Sequence, residues 1–598
     1  MRRVGSMVML LTVTGCPTAD PKDEEPIDEV VTDTGTPQGD CETREVLTAD
    51  LFVGGGELPP FTCWSVSDTL RLDAGTFTIH EGVDVTFSTG SHLWIPSGAQ
   101  LSVDGTEAAP VELHTGDPAI TWQGIGFENS QGSGNRLVHV RIENAGDSPW
   151  NGSSDSFAAL WVEGTTTLAL DHVTFRNSQD FAMQVRAEAP SVTAEALHFE
   201  GNGKTAWVSA QDAAMFQTDT TFTDNDDDRI YVGGSNGSDD ITEDATWQAV
   251  AGGWHVNGSL TIAATWTLAP GARLHMAEST RILVVDTGTL VAESNAEPIV
   301  FEAAVPGTKG FWTGIEVQST GSFGPLTVGA LFDGVEVLDA GHAAHNGNSD
   351  TVAALFLQAI GATEVRNTVI ANSEGYGVWA TNQHELAGFA DNTIADVDVP
   401  VIMAPNNVVH VVNSGSSFDG ADPRLHVGHT NTDRLEAPAT WNDPGVPLFF
   451  VQPFYVDAPL TLNEGMELQF DQSQRMYVEE GGSLASLGTA ARPNVFRGAN
   501  EIADGYWTGL RFDSRSSSNQ LTYTSVLHAG VEPWTGNSES AASIYLGANA
   551  LLGLQDSEID LGGGWAMWLS TGADFTCGST PFHTLGYRAE DDTVFSGC

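Results

Sequence analysis

The chain has 598 residues, of which 41% are hydrophobic and 17% are charged, and it contains 65 glycines. This length suits several domains or one elongated repeat protein, and the glycine-rich, weakly charged composition favours a turn-rich all-β fold over a helical one. With 23 Lys and Arg residues against 79 Asp and Glu residues, the net charge is −56, which weighs against nucleic acid as a partner.

The N-terminus has the organisation of an export signal. Its apolar stretch, residues 7–13, is too short to span a bilayer. The stretch ends in Val13-Thr14-Gly15-Cys16, which resembles the lipobox of bacterial lipoproteins, although a leucine is usual where Val13 stands. The resemblance implies that residues 1–15 are a signal peptide and that Cys16 carries the lipid anchor. Because Pro17 rather than Asp follows, it also implies the outer membrane or cell surface. An ordinary signal peptide with an incidental cysteine is the alternative.

An acidic segment precedes the body of the chain, and four further cysteines lie near the two ends of that body. Residues 16–45 are predicted to be a disordered acidic tether, because few of their side chains are apolar. An exported protein meets an oxidising compartment, where an even number of cysteines indicates disulfides. Four cysteines allow three connectivities, and the pairing expected for the distant ends of an elongated fold is Cys41 with Cys63 and Cys577 with Cys598.

The rest of the chain repeats three times. The repeat is clearest at a Trp-x-Gly motif, whose tryptophans Trp122, Trp312 and Trp507 are 190 and 195 residues apart. We interpret these tryptophans as packing residues beside a glycine that permits close approach, and a sugar-stacking platform is the alternative. The predicted modules are residues 46–245, residues 246–439 and a shortened third copy, residues 440–598.

A finer period lies inside each module. Short strand cores with alternating apolar residues recur at intervals of 33 and then 24 residues, at Ile142, Phe175 and Phe199 and again at Val337, Ile370 and Ile394. In the third module Val526 and Ile559 repeat the interval of 33. An Asn or Asp, a residue type that tolerates left-handed backbone, stands two residues past five of these cores. These residues are Asn144, Asn177, Asp339, Asn372 and Asp396.

A coil of about 24 residues with short strands predicts a parallel β-helix. The pattern resembles the right-handed parallel β-helix repeat proteins of bacterial surfaces, over about nine tenths of the chain. The resemblance implies an all-β solenoid, a single elongated body of three tandem modules, expected to be a monomer. It says little about function, because this fold hosts lyases, hydrolases, adhesins and passive spacers.

In each module, the interval of 33 residues is longer than a coil of 24 because it contains one additional loop. This loop follows an Ala-Gly pair, ends in a run of small residues, and is expected to project from the solenoid in the same way each time. Loops on rigid scaffolds often carry binding sites, so a carbohydrate or cation contact is one interpretation, and a self-satisfied Ω-like loop is the other. The candidate binding residues are Trp150, Asn151, Asp155, His342, His345, Asn346, Asp350, Trp534 and Glu539.

Metal chemistry has two weak candidates. His342 and His345 have a spacing that suits a metal, but the other copies lack both, so an incidental surface pair is preferred. The run of residues 224–228 is rich in Asp, yet it lacks the alternation and the following Glu of an EF-hand. No cofactor is therefore expected, with calcium as the alternative.

Catalytic patterns are sparse. Polysaccharide lyases of this fold use Arg or Lys as the base, whereas this chain has three lysines and shows no basic residue grouped with acids at a repeat-breaking position. The pectin-type hydrolases resemble one another in several motifs, of which this chain has only Asn431-Thr432-Asp433. The sequence thus favours a non-enzymatic surface lipoprotein that uses its loops for adhesion or for carbohydrate binding. A polysaccharide lyase or glycoside hydrolase is the first alternative, and a structural spacer is the second. The expected partners are the membrane, through the lipid, and a polysaccharide or another surface protein.

Overall fold

The fold was determined as a computed structural model, which describes residues 41–578, 585–589 and 594–595, apart from short internal gaps. The gaps are residues 188–191, 234–237, 319–328, 359–360, 381–383, 429–432 and 501–503. The predicted signal peptide, Cys16 and almost all of the predicted tether therefore lie outside the described residues.

Strands stacked in parallel make up the body, which confirms the predicted all-β parallel β-helix. Among the described residues, all pairings between strands are parallel except the hairpin that joins Leu585–Ala589 to Val594–Phe595, and three isolated bridges within loops are antiparallel. Helices are rare among the described residues: two are α-helical, Ala49–Phe52 and Val408–Val412. Four are single 3₁₀ turns, at Asp212–Met215, Ser349–Thr351, Pro405–Asn407 and Ser538–Ser540.

Two sheets run through most of the solenoid. The 14-stranded sheet contains, in chain order, Thr69–Arg71, His92–Ile95, Gly124–Glu128, Ala158–Gly164, Phe181–Ala187, Lys204–Val208, Ile230–Val232, Trp254–Val256, Arg273–Met276, Ile299–Ala303, Val335–Leu338, Val369–Ala371, Thr393–Val397 and Ser417–Gly420. The 13-stranded sheet contains Ser238–Ile241, Ser259–Ile262, Arg281–Val284, Gly314–Val317, Ala353–Leu357, Tyr376–Ala380, Val399–Met403, Leu425–Val427, Leu448–Phe450, Glu467–Phe470, Asn494–Gly498, Thr524–Leu527 and Glu558–Asp560.

Two further sheets complete the N-terminal and central parts. The 12-stranded sheet contains Glu45–Val46, Gly56–Leu58, Cys63–Val66, Gly75–His80, Asp84–Phe87, Ala99–Asp104, Val111–His114, Arg136–Glu143, Leu168–Arg176, Val192–Glu195, His198–Glu200 and Thr221–Thr223. The central six-stranded sheet contains Ala245–Trp247, Thr265–Leu268, Thr289–Glu293, Ala330–Asp333, Gly361–Arg366 and His384–Glu385.

The C-terminal part has two sheets of its own. The eight-stranded sheet contains Arg434–Leu435, Phe454–Val456, Arg475–Val478, Gly509–Phe512, Ala542–Leu546, Trp565–Leu569, Leu585–Ala589 and Val594–Phe595. The C-terminal six-stranded sheet contains Ala439–Trp441, Pro459–Leu462, Ser483–Leu487, Gln520–Thr522, Leu551–Gln555 and Asp574–Cys577. The predicted module boundaries stay predictions, because strands from both sides of residues 245 and 439 share the same sheets.

The strand register confirms the predicted coil intervals. Residue pairs that the sequence places one coil apart are direct partners on neighbouring strands, for example Ile142 with Phe175 and Phe175 with Phe199. The same holds for Val337 with Ile370, Ile370 with Ile394, and Val526 with Ile559. Alternate side chains point inward, and one continuous apolar core extends from Leu47 to Met567.

The corners of the coils are turned by single residues in left-handed conformation. All five predicted corner residues have positive φ, from 51° at Asp396 to 65° at Asp339. His139, with φ 47°, divides the long strand Arg136–Glu143 into two halves. The first half pairs with Ala99–Asp104 and the second with Val111–His114, so one residue carries the chain from one face to the next.

Candidate functional site

Each of the three repeated loops closes on itself through the same backbone bonds. In the first loop the Trp150 amide donates to the Ser156 carbonyl over 3.1 Å. The equivalent bonds, His345 to Thr351 and Trp534 to Ser540, measure 3.3 and 3.5 Å. The three loops therefore close in the same way, as the sequence repeat predicts, although Gly152 and Gly347 have φ 78° and the equivalent Gly536 lies outside the left-handed region.

An inward-facing ring anchors each loop to the outer surface of a sheet. Trp150 Nε1 donates to the carbonyl of Ala158 over 2.8 Å, and Trp534 Nε1 donates in the same way to Ala542. In the second loop His345 Nε2 lies 2.9 Å from the carbonyl of Ala353, and because a carbonyl only accepts, this nitrogen carries the proton. The three rings are only 7%, 6% and 5% exposed, so each loop folds back on the solenoid instead of projecting from it.

The anchoring rings pack into three outer aromatic clusters, which are separate from the solenoid core. The first outer cluster consists of Trp150, Ala158, Trp161 and Phe181, with Trp94, Trp207 and Tyr231 against it. The second consists of Ala353, Phe356, Trp379 and Ile402, with Tyr376 against it and the His345 ring stacked on Phe356. The third consists of Trp534, Ala542, Tyr545 and Trp568, with Tyr477 and Trp565 against it.

The tips of the loops are polar and exposed. Asn151, Asp155, Asn346, Asp350 and Glu539 all lie on the surface. Much of their hydrogen-bonding capacity is used within the loop. Asn151 Oδ1 accepts from the Ser153 amide over 3.0 Å, and Ser153 Oγ donates to Asp155 Oδ1 over 2.6 Å. The serine bond holds the pKa of the Asp155 carboxyl below its usual value.

The two histidines of the second loop do not meet. His342 is exposed, with Nε2 2.8 Å from Ser279 Oγ and Nδ1 3.1 Å from the Gly310 carbonyl, whereas His345 faces the sheet. Across the part of the chain that the structure describes, no three His, Cys, Asp or Glu side chains are grouped to hold a metal ion.

A buried carboxylate lies beneath the second loop. Glu316 is 1% exposed; its Oε2 lies 3.5 Å from His345 Nδ1 and 3.4 Å from Arg281 Nη1. Gln318 and Gln358 both donate to its other oxygen. Burial by itself would raise the pKa of Glu316, but the interaction with nearby His345 and the hydrogen bond from Gln318 outweigh it, so the pKa is lowered.

A second polar group, which the sequence reading missed, lies on the outer face of the 14-stranded sheet. Arg229 Nη2 and the Tyr231 hydroxyl both donate to Asp227 Oδ2 over 2.6 Å. These bonds lower the pKa of Asp227, although burial acts in the opposite direction, and burial together with the Asp227 bond raises the pKa of Tyr231 to about 12.

Two histidines continue this group along the sheet. Tyr231, His255, His275 and Glu302 are successive partners on four neighbouring strands. Burial lowers the pKa of His255 to about 4 and also lowers that of His275, so both rings are neutral near pH 7. Glu302 accepts from Arg273 over 2.7 Å and lies 3.2 Å from His275.

A repeat in the sequence marks this group. The motif Asp-x-Arg-x-(Tyr/His) occurs as Asp227-Asp228-Arg229-Ile230-Tyr231 and, 195 residues later, as Asp422-Pro423-Arg424-Leu425-His426. In the second copy Arg424 Nη2 donates to Asp422 Oδ2 over 2.6 Å, and His426 Nε2 lies 3.1 Å from the same oxygen. Aligning the modules residue by residue would have found the motif.

The Trp-x-Gly motifs are packing elements. Trp122, Trp312 and Trp507 are fully buried, and each indole donates to a backbone carbonyl of the next coil, at Glu143, Leu338 and Leu527. No sugar reaches these rings, so the stacking alternative is wrong for them.

The remaining candidates are placed as follows. In the Asp-rich turn, Asn225 Nδ2 donates to Asp228 Oδ1 over 2.8 Å and Asp227 pairs with Arg229, so these acids are not gathered around one point. Asp433 is buried, while residues 431–432 lie outside the described residues.

The Cys41–Cys63 disulfide is confirmed. Cys577 is disulfide-bonded as well, and its predicted partner Cys598 lies outside the described residues.

Comparison of the chain with protein-family models, with curated proteins and with solved structures finds no match. Within the described ranges, no helix is both long enough and apolar enough to cross a membrane. Function must therefore be argued from the residues themselves.

Proposed function

We propose that this protein is a lipid-anchored bacterial surface protein whose solenoid binds carbohydrate at its three loops and mediates adhesion without catalysis. Cys16 would hold the lipid, residues 16–45 would be the tether, and the outer membrane or cell surface would be the location. Calcium is not required for this proposal.

One observation carries the proposal: at each loop an exposed polar tip lies beside aromatic rings on an outer face. At the first loop Arg186 connects the two, since its Nη2 donates to the Asp155 carbonyl over 3.1 Å and its guanidinium lies 4.6 Å from the Trp207 ring. At the second loop the charge of Asp350 contributes to the raised pKa of Tyr376, whose main cause is burial. Flat rings beside amide and carboxylate groups suit the apolar face and the hydroxyls of a sugar.

The charge of the protein narrows the ligand to neutral carbohydrate. With a net charge of −56, the surface repels a polyanion such as a uronate polymer. The arginines next to the outer rings are largely neutralised, as in the pairs Arg229 with Asp227, Arg434 with Asp457 and Arg511 with Asp513. A charge-balanced pair offers donors and acceptors to hydroxyl groups without attracting anions.

A glycan-cleaving enzyme is the second candidate, and the group around Tyr231 favours it. This group places an Asp–Arg pair, a phenol and two neutral imidazoles along one outer face. A neutral imidazole can accept a proton at pH 7 and a phenol can donate one.

The deciding experiment applies the soluble body, residues 41–598, to an array of bacterial and plant polysaccharides with and without calcium. Retained protein and released reducing ends or unsaturated sugars are both measured. Retention of neutral polymers without release supports the proposal, and release of product replaces it with the enzyme. Failure to retain any polysaccharide overturns carbohydrate binding and leaves a structural spacer.

Variants of the tips locate the contact. The triple variant Asp155→Ala, Asp350→Ala and Glu539→Ala removes a tip acid from each loop while leaving the anchoring rings in place. The matched control is Glu107→Ala, Glu297→Ala and Glu480→Ala, which removes one exposed acid per module away from the loops. The proposal expects retention to fall at least about tenfold in the first variant only, which corresponds to about 1.4 kcal/mol.

A further inference from the structure

The three loops lie on three different sheets. The first loop leads from Arg136–Glu143 into Ala158–Gly164, the neighbour of Gly124–Glu128, and its ring packs on Trp161 and Phe181 of the 14-stranded sheet. The second leads from Val335–Leu338 into Ala353–Leu357, and its His345 ring stacks on Phe356 of the 13-stranded sheet. The third leads from Thr524–Leu527 into Ala542–Leu546, and its Trp534 ring packs on Tyr545 of the eight-stranded sheet. A sequence repeat alone gives no reason to expect this.

These sheets form three separate faces of the solenoid. Through the second module the chain visits the 13-stranded, the central six-stranded and the 14-stranded sheet in turn, so these are the three sides of one coil. The eight-stranded sheet continues the face of the central six-stranded sheet. The turn Pro405–Asn407 connects them, because Asn407 bonds to His384 and Leu386 above, and Asn406 bonds to Glu436 below.

Successive loops are therefore displaced both along the axis and around it. In the 14-stranded sheet, seven strand spacings separate Gly124–Glu128 from Ile299–Ala303, and Gly314–Val317 is the next strand of the chain. In the 13-stranded sheet, seven spacings separate Gly314–Val317 from Asn494–Gly498, and Gly509–Phe512 follows. At about 4.8 Å per strand this is roughly 35 Å along the axis, together with a step to the next face.

We propose that the three loops bind three separate polysaccharide chains, one on each face, so that a single molecule cross-links neutral polymers. This inference rests on the carbohydrate binding proposed above. A polymer lying along one face meets one loop only, because the other two loops point to the other sides. To reach a second loop it must wind around the rod within roughly 35 Å, so the loops give no avidity toward one straight chain.

Binding sites aligned in one groove and binding sites on three faces predict different affinities and stoichiometries. Sites aligned on one face would let a long polymer bind far more tightly than an oligosaccharide, by 10²-fold or more. Sites on three faces give equal affinity per site for both, a stoichiometry of three oligosaccharides per protein, and a gel or scattering aggregate with the long polymer.

The experiment uses the soluble body, residues 41–598, with mannan, xylan, dextran and mixed-linkage β-glucan and with oligosaccharides cut from each. Calorimetry with the oligosaccharide of a retained polymer gives the stoichiometry, and light scattering with the intact polymer gives the cross-linking. Two-loop variants, such as Asp350→Ala with Glu539→Ala, leave one intact tip.

The inference expects three sites in the wild type, and full affinity but no cross-linking in each two-loop variant. A single site in the wild type overturns it, as does a two-loop variant that still cross-links or an affinity that rises with polymer length. Absence of binding to all four polymers is a different result, because it overturns the carbohydrate-binding proposal itself.

Discussion

Trp150 and Ala158, eight residues apart, are joined by a 2.8 Å hydrogen bond from the indole Nε1 to the backbone carbonyl. This bond turns the first loop back on the sheet and sets its ring among Trp161 and Phe181. The loop is thus held by a buried ring beneath a polar tip, an arrangement that restricts the tip before any ligand arrives.

Removal of that ring is expected to release the loop. Trp150→Ala should lower the free energy of unfolding by about 3–5 kcal/mol, because a buried indole leaves a cavity. Trp150→Phe should cost about 1 kcal/mol, mainly for the lost hydrogen bond. Urea unfolding and hydrogen exchange of residues 150–157 measure both effects. The control Ser154→Ala, at the exposed tip, should stay within about 0.5 kcal/mol, and equal stability of Trp150→Ala and this control would contradict the anchoring role.

The glycine of the Trp-x-Gly motif should tolerate no side chain. Gly124 has φ 120°, and a Cβ there would lie 2.1 Å from the Ala159 carbonyl oxygen. Gly124→Ala should therefore cost at least about 3 kcal/mol, from backbone strain and overpacking together. Gly152, with φ 78° and no atom within 4 Å of its Cβ position, is the matched control and should cost about 1 kcal/mol. Thermal unfolding of both variants checks this, and similar melting temperatures would refute it.

Glu316 should make the stability of the central region depend on acid. Its pKa is lowered in the folded state, so its contribution is present above the unfolded value of 4.5 and is lost as the pH falls through the folded value. Glu316→Gln should cost about 3 kcal/mol at pH 7, because His345 and Arg281 lose a buried partner, and less as the pH falls below about 4.5. Chemical unfolding at several pH values tests this against the exposed control Glu278→Gln. A cost that does not change with pH would argue against an ionised Glu316.

Asp239 should make stability depend on pH in the direction opposite to that of Glu316. Burial raises its folded pKa to about 6 from an ordinary value of 3.8, so the fold favours the protonated form and stability falls as the pH rises from about 4 to about 6. Asp239→Asn should be more stable than the wild type by roughly 2 kcal/mol at pH 7 and should lack this slope. Its amide oxygen can still accept the bond from the Ala210 amide. The neighbouring exposed Asp240→Asn is the control, and a destabilised Asp239→Asn would contradict the prediction.

The Cys41–Cys63 disulfide should hold the first coil in place. The two cysteines are 22 residues apart, and a loop of that size corresponds to about 3 kcal/mol of stabilisation in the chain-entropy treatment. Cys63→Ser should therefore raise hydrogen exchange in Glu45–Val46 and its partner Cys63–Val66. Exchange in distant strands, such as Leu448–Phe450, should not change, because a solenoid couples mainly neighbouring coils. If hydrogen exchange in the variant instead rose in all strands, the disulfide would stabilise the whole protein and not only the first coil, and the prediction would be wrong.

The sequence predicted the coil well because two local rules are sufficient for it. Inward side chains alternate along each strand, so the intervals from Ile142 to Phe175 and from Phe175 to Phe199 are the register itself. Asn144 and Asn177 stand at corners because their side chains tolerate left-handed backbone. The Trp-x-Gly packing interpretation and the Cys41–Cys63 pairing were also correct for local reasons.

The candidate site was predictable only in part. The loop positions follow from the excess length, but Trp150, His345 and Trp534 resembled exposed ligands in the sequence and are buried anchors in the fold. Whether a ring in a loop faces solvent or the sheet depends on which surface lies beneath it. For Trp150 that surface includes Trp94 and Tyr231, which are distant in sequence.

The sequence by itself thus determined the all-β solenoid, the length of its coils and its corners, since each depends on a period of a few tens of residues or on one residue's conformation. Only the tertiary structure decided which face each loop occupies and which polar side chains meet. From one module to the next, the loop moves by seven strand spacings along the axis and by one face around it. This displacement is the sum over several coils, so no single coil shows it. The summed displacement places the first, second and third loops on three sides of the protein.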